Sequence, residues 1–96
     1  MESFVYILAN KKNGTLYTGV TKYLWRRMWQ HTTEFYDWFT KKYWVKMLVY
    51  YEKHSLLVSA IAREKQIKKW KRKRKIRLIE KENPERKNLY HHYDVG

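Results

Sequence analysis

The sequence has no cysteine, only one proline and three glycines among its 96 residues. The lack of cysteine excludes disulfides, thiolate metal sites and cysteine nucleophiles, and it agrees with a reducing, intracellular environment. No hydrophobic run approaches the roughly 18 residues that a membrane-spanning helix needs. The first residues, MESFVYIL, have neither the basic region nor the cleavage site of a signal peptide. We therefore expect a cytoplasmic protein that does not enter a membrane.

Acidic residues are scarce: nine Asp and Glu stand against 22 Lys and Arg, which gives a formal net charge of +13. A small domain with this excess usually meets a polyanion, and nucleic acid is the commonest one. An anionic membrane surface is the next candidate, and a charge that serves solubility alone is the third. The 44% hydrophobic content indicates a folded chain. We expect one domain over residues 1–90 and a polar tail over 91–96.

Apolar periodicity predicts three strands and three helices. The strands are predicted over residues 3–9, 15–20 and 46–52, and a turn at 10–14 joins the first two. The helices are predicted over residues 22–33, 56–73 and 74–82. Thr21 and Ser55 are the expected N-caps, and Pro84 ends the last helix. The order β-β-α-β-α-α predicts an α+β fold, with a small three-stranded antiparallel sheet flanked by about three helices.

The first two predicted strands carry two tyrosines suited to holding a phosphate. Period-two alternation places Tyr6 on one face of the first strand, and Tyr17 with Gly19 on one face of the second. A phenol can bond to a phosphate oxygen, or pass a proton when nearby cations lower its pKa. Both could equally be half-buried strand tyrosines. Gly19 weakens a strand and often marks a point where another group approaches the backbone closely.

The first predicted helix adds two cations to this region. Arg27 and His31 share one stripe with Leu24 and Met28, and the two apolar residues orient that stripe inward. A cation on an inward stripe must be paired or must face a cleft. Arg27 could bind a phosphate, or it could form a surface ion pair. His31 could relay a proton, or it could interact with the dipole at the C-terminal end of the helix. Arg26 points about 100° away from Arg27.

Glu64 is the most informative acid. It lies between Ala60 and Ile67 on the apolar stripe of the second predicted helix, where a carboxylate needs a cation or a metal. One carboxylate, completed by waters and a substrate phosphate, is a usual ligand set for Mg²⁺. An internal ion pair explains the position equally well. The four histidines are not spaced as zinc ligands, and neither His54 nor the pair at 91–92 has neighbours that suggest chemistry.

The densest charge lies in residues 63–77, REKQIKKWKRKRKIR, which hold ten cations and one acid around Trp70. Ten cations within about four helical turns repel one another, and a phosphate backbone would relieve that repulsion. A solvated surface is the alternative. We favour nucleic-acid binding, with these side chains as substrate contacts: Lys68, Lys69, Lys71 and Arg72.

These segments resemble a known family. The pair VYIL and LYTG, joined by a short turn and followed by RRMWQH, is similar to the start of the GIY-YIG nuclease domain. AIAREKQIKKWKRKRKIRLIEKENP is similar to the helical half of the small single-domain branch of that family. The resemblance covers about residues 3–90. The short motifs are weak one by one, but the ordered set Tyr, Tyr-x-Gly, Arg-x₃-His and Glu is specific.

The resemblance implies a metal-dependent phosphodiesterase and assigns roles to the first half of the chain. Tyr6 stands at the position of the family's first tyrosine. Tyr17 and Gly19 stand at those of its second tyrosine and glycine. Arg27 takes the position of the phosphate-binding arginine, and His31 that of the helper histidine.

The second half supplies the metal ligand in this resemblance. Glu64 matches the family's ligand for a single Mg²⁺ or Mn²⁺ ion. Asn83 fits, loosely, a late asparagine that orients substrate or water, and Asn88 is the other candidate. We expect the catalytic side chains of both halves to converge on one face of the sheet.

The leading hypothesis is therefore a metal-dependent endonuclease of the GIY-YIG type, acting on DNA rather than RNA, with a role in DNA repair or processing. A non-catalytic nucleic-acid-binding module on the same fold is the alternative. A third hypothesis is an assembly or membrane-surface protein, with a homo-oligomer contact through the aromatic segment 34–45. In the family that this chain resembles, glycine and polar residues tend to follow the helper histidine, and Trp38 and Trp44 are unusual in that context. They could stack on bases, seal the oligomer contact or block the substrate.

Overall fold

The computed structural model describes residues 2–10, 14–32 and 47–90, and for residues 30–32 it describes the backbone alone. The predicted order of elements is confirmed, and the fold is α+β. The three strands are β1 (Ser3–Ala9), β2 (Leu16–Thr21) and β3 (Met47–His54). The three helices are α1 (Leu24–Thr32), α2 (Leu57–Lys68) and α3 (Arg72–Glu82). Among the residues that the structure describes, none of the helices has the length and hydrophobicity of a membrane span.

The sheet has β1 in its centre, in the order β2-β1-β3, and β1 is antiparallel to both neighbours. A strand of apolar and aromatic residues with few polar interruptions suits this place, because both of its faces are covered. Every residue of β1 is buried except Phe4, which is half-buried. The described part of the sheet therefore has two edges, β2 and β3.

Two apolar clusters lie on opposite faces of this sheet. On the α1 face, α1 packs its apolar residues onto Tyr6 and Leu8 of β1. That cluster is formed by Tyr6, Leu8, Leu24, Met28, Leu48 and Tyr90. On the α2/α3 face, the second and third helices cover the other side chains of β1. That cluster is formed by Val5, Ile7, Ala9, Val49, Tyr50, Ala60, Ile67 and Ile79.

A bulge in β3 changes which of its residues share a face. The register against β1 shifts by one residue at Val49, since Leu8 pairs with Leu48 and Ile7 pairs with Tyr50. An extra residue reverses the alternation beyond it. Tyr50 therefore joins the α2/α3 cluster, whereas Tyr51 becomes the cross-strand partner of Tyr6. Strict alternation, which would group Tyr51 with Val49 and Tyr50 with Leu48, is wrong beyond the bulge.

The helix starts differ from the predicted N-caps. Thr21 is the last residue of β2, and its hydroxyl oxygen accepts a hydrogen bond from the Tyr23 amide at 3.1 Å, so it stabilises the turn that precedes α1. In α2 the N-cap is Leu56, which makes no side-chain cap bond, and Ser55 lies before it. The first residues of α2 are exposed, and its first buried residue is Ala60.

The predicted helix 56–73 is interrupted. It ends at Lys68, and α3 begins at Arg72 after a turn in which the Trp70 amide donates to the Ile67 carbonyl at 3.0 Å. The turn lets Trp70 pack against the α2/α3 cluster. The ten cations of residues 63–77 therefore lie on two helices and the corner between them, where they are farther apart than on one continuous helix.

The segment that follows α3 runs back along β3. The helix ends at Glu82, two residues before Pro84, as predicted. The Leu89 amide donates to the Leu48 carbonyl at 2.7 Å, and Tyr90 is buried on the α1 face. The segment up to residue 90 is thus part of the domain. The predicted tail at 91–96 lies outside the described residues.

Candidate active site

Gly19 and Tyr6 form the best-defined contact of the predicted site. They are cross-strand partners, and the ring of Tyr6, only 2% exposed, lies over the glycine. A Cβ atom at position 19 would be 2.5 Å from both Cζ and Oη of Tyr6, closer than any stable contact. A glycine is therefore needed here because of this close approach, as its position within a strand predicts.

Tyr17 lies beside Tyr6 on the same face. The two ring centroids are 6.4 Å apart with the planes at 43°, within the usual range for aromatic pairs. Tyr17 is half-buried and packs against the α1 cluster from the edge strand β2. The structure thus brings both tyrosines and Gly19 together on the α1 face, as the alternation predicts.

Arg27 lies in the first turn of α1 and is half-buried. With Thr21, Tyr23 and Arg26 it lines a pocket of about 190 Å³. Two guanidinium groups and the start of a helix, where backbone N–H groups lack intrahelical acceptors, make this pocket suitable for an anion. Helical geometry predicts that Arg26 points about 100° away from Arg27. Both side chains nevertheless line the same pocket at the start of the helix. The sequence signal for it is the consecutive pair Arg26-Arg27 directly after the strand.

His31 lies within the backbone range of α1, but its side chain is not among those described. Its predicted part in the site therefore stays a prediction. Trp38, Trp44 and the rest of segment 34–45 also lie outside the described residues, so the predicted oligomer contact there stays a prediction as well.

Glu64 occupies the inward stripe of α2, one turn from Ala60 and Ile67, which are buried. Its side chain is 13% exposed, and its Oε2 atom is 2.9 Å from Nζ of Lys68, the residue one turn later. The ion-pair alternative for Glu64 is therefore observed. In the described part of the chain, no group of three or more His, Asp or Glu side chains is placed to hold a metal ion. Of the described residues, Glu64 is the carboxylate predicted to hold a metal here.

The helix that carries Glu64 lies on the α2/α3 face, because its Ala60 and Ile67 belong to that cluster. Tyr6 and Tyr17 lie on the α1 face. The expectation that all these side chains share one face of the sheet is therefore wrong for Glu64. Its helix contacts β1 and the edge strand β2, and to a smaller extent β3.

Asn83 has a structural role in this fold. Its Nδ2 group donates to the carbonyls of Val49 and Lys87 at 3.0 and 2.9 Å, and its Oδ1 atom accepts from the Lys87 amide at 3.0 Å. Both amide hydrogens are thus used to tie the end of α3 to β3. The Oδ1 atom of Asn88 likewise accepts from the amides of Leu48 and Tyr90. The catalytic role expected of Asn83, or of Asn88, stays a prediction.

The predicted substrate contacts surround the corner between α2 and α3. Lys69 and Lys71 are exposed in the turn, Arg72 is exposed at the start of α3, and Lys68 pairs with Glu64. Lys75 adds to this group: burial and then the charges of Lys68 and Arg72 lower its pKa. Like charges this close favour a bound anion.

A network around Glu52 was not predicted. The carboxylate accepts hydrogen bonds from the Tyr50 hydroxyl at 2.5 Å and from Arg63 Nε at 3.1 Å, and its Oε2 atom is 2.6 Å from His54 Nε2. Burial by itself would raise the pKa of Glu52, but these hydrogen bonds and the charge of Arg63 lower it. Burial and the bond to Glu52 raise the pKa of Tyr50. His54, which seemed to lack partners, therefore belongs to a structural cluster between β3 and α2.

We expect Glu52→Gln to destabilise the fold by about 1–3 kcal/mol near pH 7, because it removes the charge that three donors share. The pKa of Glu52 is lower than the ordinary glutamate value of 4.5. Its stabilisation is therefore present above pH 4.5 and is lost as the pH falls through the pKa of the folded state. Urea denaturation of both proteins between pH 7 and pH 3 should show the difference shrinking with acid. Glu85→Gln, an exposed acid paired with Lys87, is the control and should change stability by less than about 0.5 kcal/mol; a constant difference across this pH range contradicts the expectation.

Comparisons with known proteins agree with this fold. The family model of the GIY-YIG catalytic domain matches residues 2–77. A UPF0213 protein of Syntrophus aciditrophicus (strain SB) is 40% identical over 86 residues, which are 88% of this chain and 97% of that protein. The solution NMR structure of a UPF0213 protein from Bacillus halodurans is similar with a TM-score of 0.54 and 28% identity, over 86% of this chain and 87% of that one. The chain therefore belongs to the GIY-YIG family of nuclease domains.

Proposed function

We propose that this protein is a divalent-metal-dependent endonuclease that hydrolyses phosphodiester bonds in DNA. The observation that carries the proposal is the Tyr6 ring seated on Gly19, beside Tyr17 and on the face covered by α1. Only a glycine permits this arrangement, and the chain belongs to a nuclease family.

The arginine pocket is the proposed site for the scissile phosphate. Arg27 and Arg26 can donate several N–H groups to its oxygens, and their positive charge stabilises the additional negative charge of the transition state. Tyr23 and Thr21 line the same pocket and supply hydroxyl groups. A site with a single charge would bind phosphate less selectively than these two guanidinium groups in one pocket.

Glu64 is the proposed metal ligand. Its carboxylate is largely buried and is already neutralised by a cation, Lys68, whose own side chain is about half exposed and can move aside. The site therefore fits a hard divalent cation such as Mg²⁺ or Mn²⁺, with water and phosphate oxygens as further ligands. When bound, the ion would polarise the phosphate and stabilise the leaving oxygen.

Tyr6 is the proposed group that takes or passes the proton of the attacking water, with His31 assisting. Its ring is held between Gly19 and the α1 cluster, so the phenol oxygen has little freedom to move. Such a fixed position favours proton transfer at a defined atom. Because Glu64 approaches from the α2/α3 face, we expect the substrate phosphate to lie at the β2 edge.

Incubation of the protein with supercoiled and branched DNA, with Mg²⁺ or Mn²⁺ and with EDTA, tests the proposal. We expect metal-dependent nicking that EDTA abolishes. No cleavage with either metal, together with retained DNA binding, would reject the nuclease and support the non-catalytic binding module. A salt-resistant oligomer without DNA affinity would reject both and support the assembly hypothesis.

We expect Arg27→Gln to lower kcat/KM for cleavage by about 10²–10³-fold, the usual cost of removing one group that stabilises transition-state charge. Arg26→Gln should cost less, because Arg26 is exposed whereas Arg27 is half-buried in the pocket wall. Lys22→Gln, an exposed cation just before α1, is the control. Steady-state cleavage of a fluorescent duplex measures all three, and equal losses in the three variants would show that only overall charge matters.

A further inference from the structure

Helix α3 presents a second basic surface on its outer side. Arg74, Arg77 and Lys81 are spaced by three and four residues, so they form one stripe, and all three are exposed. Ile79 on the opposite side is buried in the α2/α3 cluster, and Ile76 packs against that cluster. The stripe therefore faces away from the domain, and it begins next to the corner between α2 and α3, where the Arg74 amide donates to the Lys71 carbonyl at 3.0 Å.

A groove of about 350 Å³ runs along this stripe. Its lining consists of Trp70, Arg74, Arg77, Leu78 and Lys81, and we call it the Trp70 groove. One aromatic and one aliphatic side chain thus lie among three cations. This combination of apolar contact and positive charge suits the sugar-phosphate backbone of a nucleic acid.

Trp70 holds the guanidinium of Arg74 in place. The Arg74 Cζ atom lies 4.0 Å from the centroid of the Trp70 ring, and that of Arg63 lies 5.2 Å away. Arg63 is neutralised by Glu52, at 3.1 Å. A guanidinium stacked on an aromatic ring keeps its N–H groups available at the edge, and little side-chain entropy remains to be lost on binding.

The three groove cations have no carboxylate to neutralise them in the described part of the chain. The nearest acids in sequence are engaged elsewhere or face another way: Glu80 pairs with Arg86 at 3.2 Å, and Glu82 lines a different groove beside β3. Three neighbouring positive charges without a counterion raise the affinity for a polyanion. If the positive charge served solubility alone, these three cations would not need to lie around one groove.

We propose that the Trp70 groove binds the phosphate backbone of the nucleic acid, as a contact separate from the arginine pocket. The proposal rests on the proposed function in that the ligand is the same nucleic acid. The groove belongs to the α2/α3 side of the sheet, as does the helix of Glu64, and Arg27 belongs to the α1 side, so a substrate held at both places extends beyond the arginine pocket.

Fluorescence anisotropy with a fluorescein-labelled DNA duplex of about 30 base pairs tests this, in EDTA so that no cleavage occurs. The double variant Arg77→Gln/Lys81→Gln leaves the Trp70–Arg74 stack intact. We expect its Kd to rise about tenfold at low salt, and the slope of log Kd against log salt to fall by about 2, since each lost phosphate contact removes about 0.9. Far-UV circular dichroism and thermal unfolding should match the wild type, because both side chains are exposed.

The matched control is Lys53→Gln/Lys87→Gln, which removes the same two charges from exposed lysines that are paired with Glu2 and Glu85. It should change Kd by less than threefold. An equal loss in the control, or an unchanged salt slope in the groove variant, would overturn the proposal. If the groove variant loses binding but the wild type cleaves with neither metal, the proposed function fails and the groove stands. If wild-type cleavage is observed and groove variant binding is normal, only the groove fails.

Discussion

Glu64→Gln should lower kcat for metal-dependent cleavage by about 10²–10³-fold or more. The affinity for DNA should stay within about twofold of the wild-type value. The amide keeps the size of the side chain but loses the charge that a divalent cation needs. The fold should tolerate the change, since the partner lost is Lys68, which is about half exposed and can be solvated.

Three measurements separate the metal role of Glu64 from a structural one. Cleavage rates report catalysis, DNA anisotropy reports binding, and the paramagnetic signal of free Mn²⁺ reports metal binding directly. Glu80→Gln is the matched control, because it is also a helical glutamate in an ion pair, with Arg86. Unchanged Mn²⁺ binding in Glu64→Gln, or an equal loss of cleavage in Glu80→Gln, would show that Glu64 is not the ligand.

Gly19→Ala should have the second large effect, since the new Cβ atom would lie 2.5 Å from Cζ and Oη of Tyr6. The ring is 2% exposed and packs against Leu8 and Met28, so it cannot simply rotate into solvent. We expect a loss of about 1–3 kcal/mol in the free energy of unfolding, as for other overpacked cores. We also expect cleavage to fall by about 10²-fold, because a displacement of about 1 Å in a catalytic group has that cost.

Urea denaturation and cleavage assays on the same preparations test both effects. Gly14→Ala is the control, because no described glycine has a positive φ and the added methyl there is not strained by the backbone. Tyr6→Phe tests separately whether the Tyr6 phenol takes part in cleavage. It removes the phenol oxygen without adding atoms, so it should lose cleavage while remaining folded. Full activity in Tyr6→Phe would remove the proton-transfer role from this residue, whatever Gly19→Ala does.

Short-range signals predicted the first half of the molecule well. The run SFVYILA corresponds to β1 without change, and the period of two places Tyr6, Tyr17 and Gly19 on one face. Strand alternation is a property of the backbone, so it needs no information from distant residues. The same holds for the end of α3 before Pro84, which follows from the restricted φ and the missing N–H group of proline.

Features that depend on the register between distant segments could not be predicted. The bulge at Val49 exists only because β3 pairs with β1, and it decides that Tyr51, not Tyr50, lies next to Tyr6. The same pairing places Glu52 where His54 and Arg63 can reach it. Arg26 likewise joins the pocket of Arg27 because Thr21 and Tyr23, which precede α1, complete its lining.

The sequence by itself determined the fold class, the order of the elements, the positions of the two tyrosines and their glycine, and an inward carboxylate at Glu64. Each of these follows from residue spacing along one strand or helix. Only the tertiary structure decided that the helix of Glu64 packs on the opposite side of the sheet from Tyr6. A helical stripe shows which side of a helix is buried, but the face of the sheet it covers depends on the path of the whole chain.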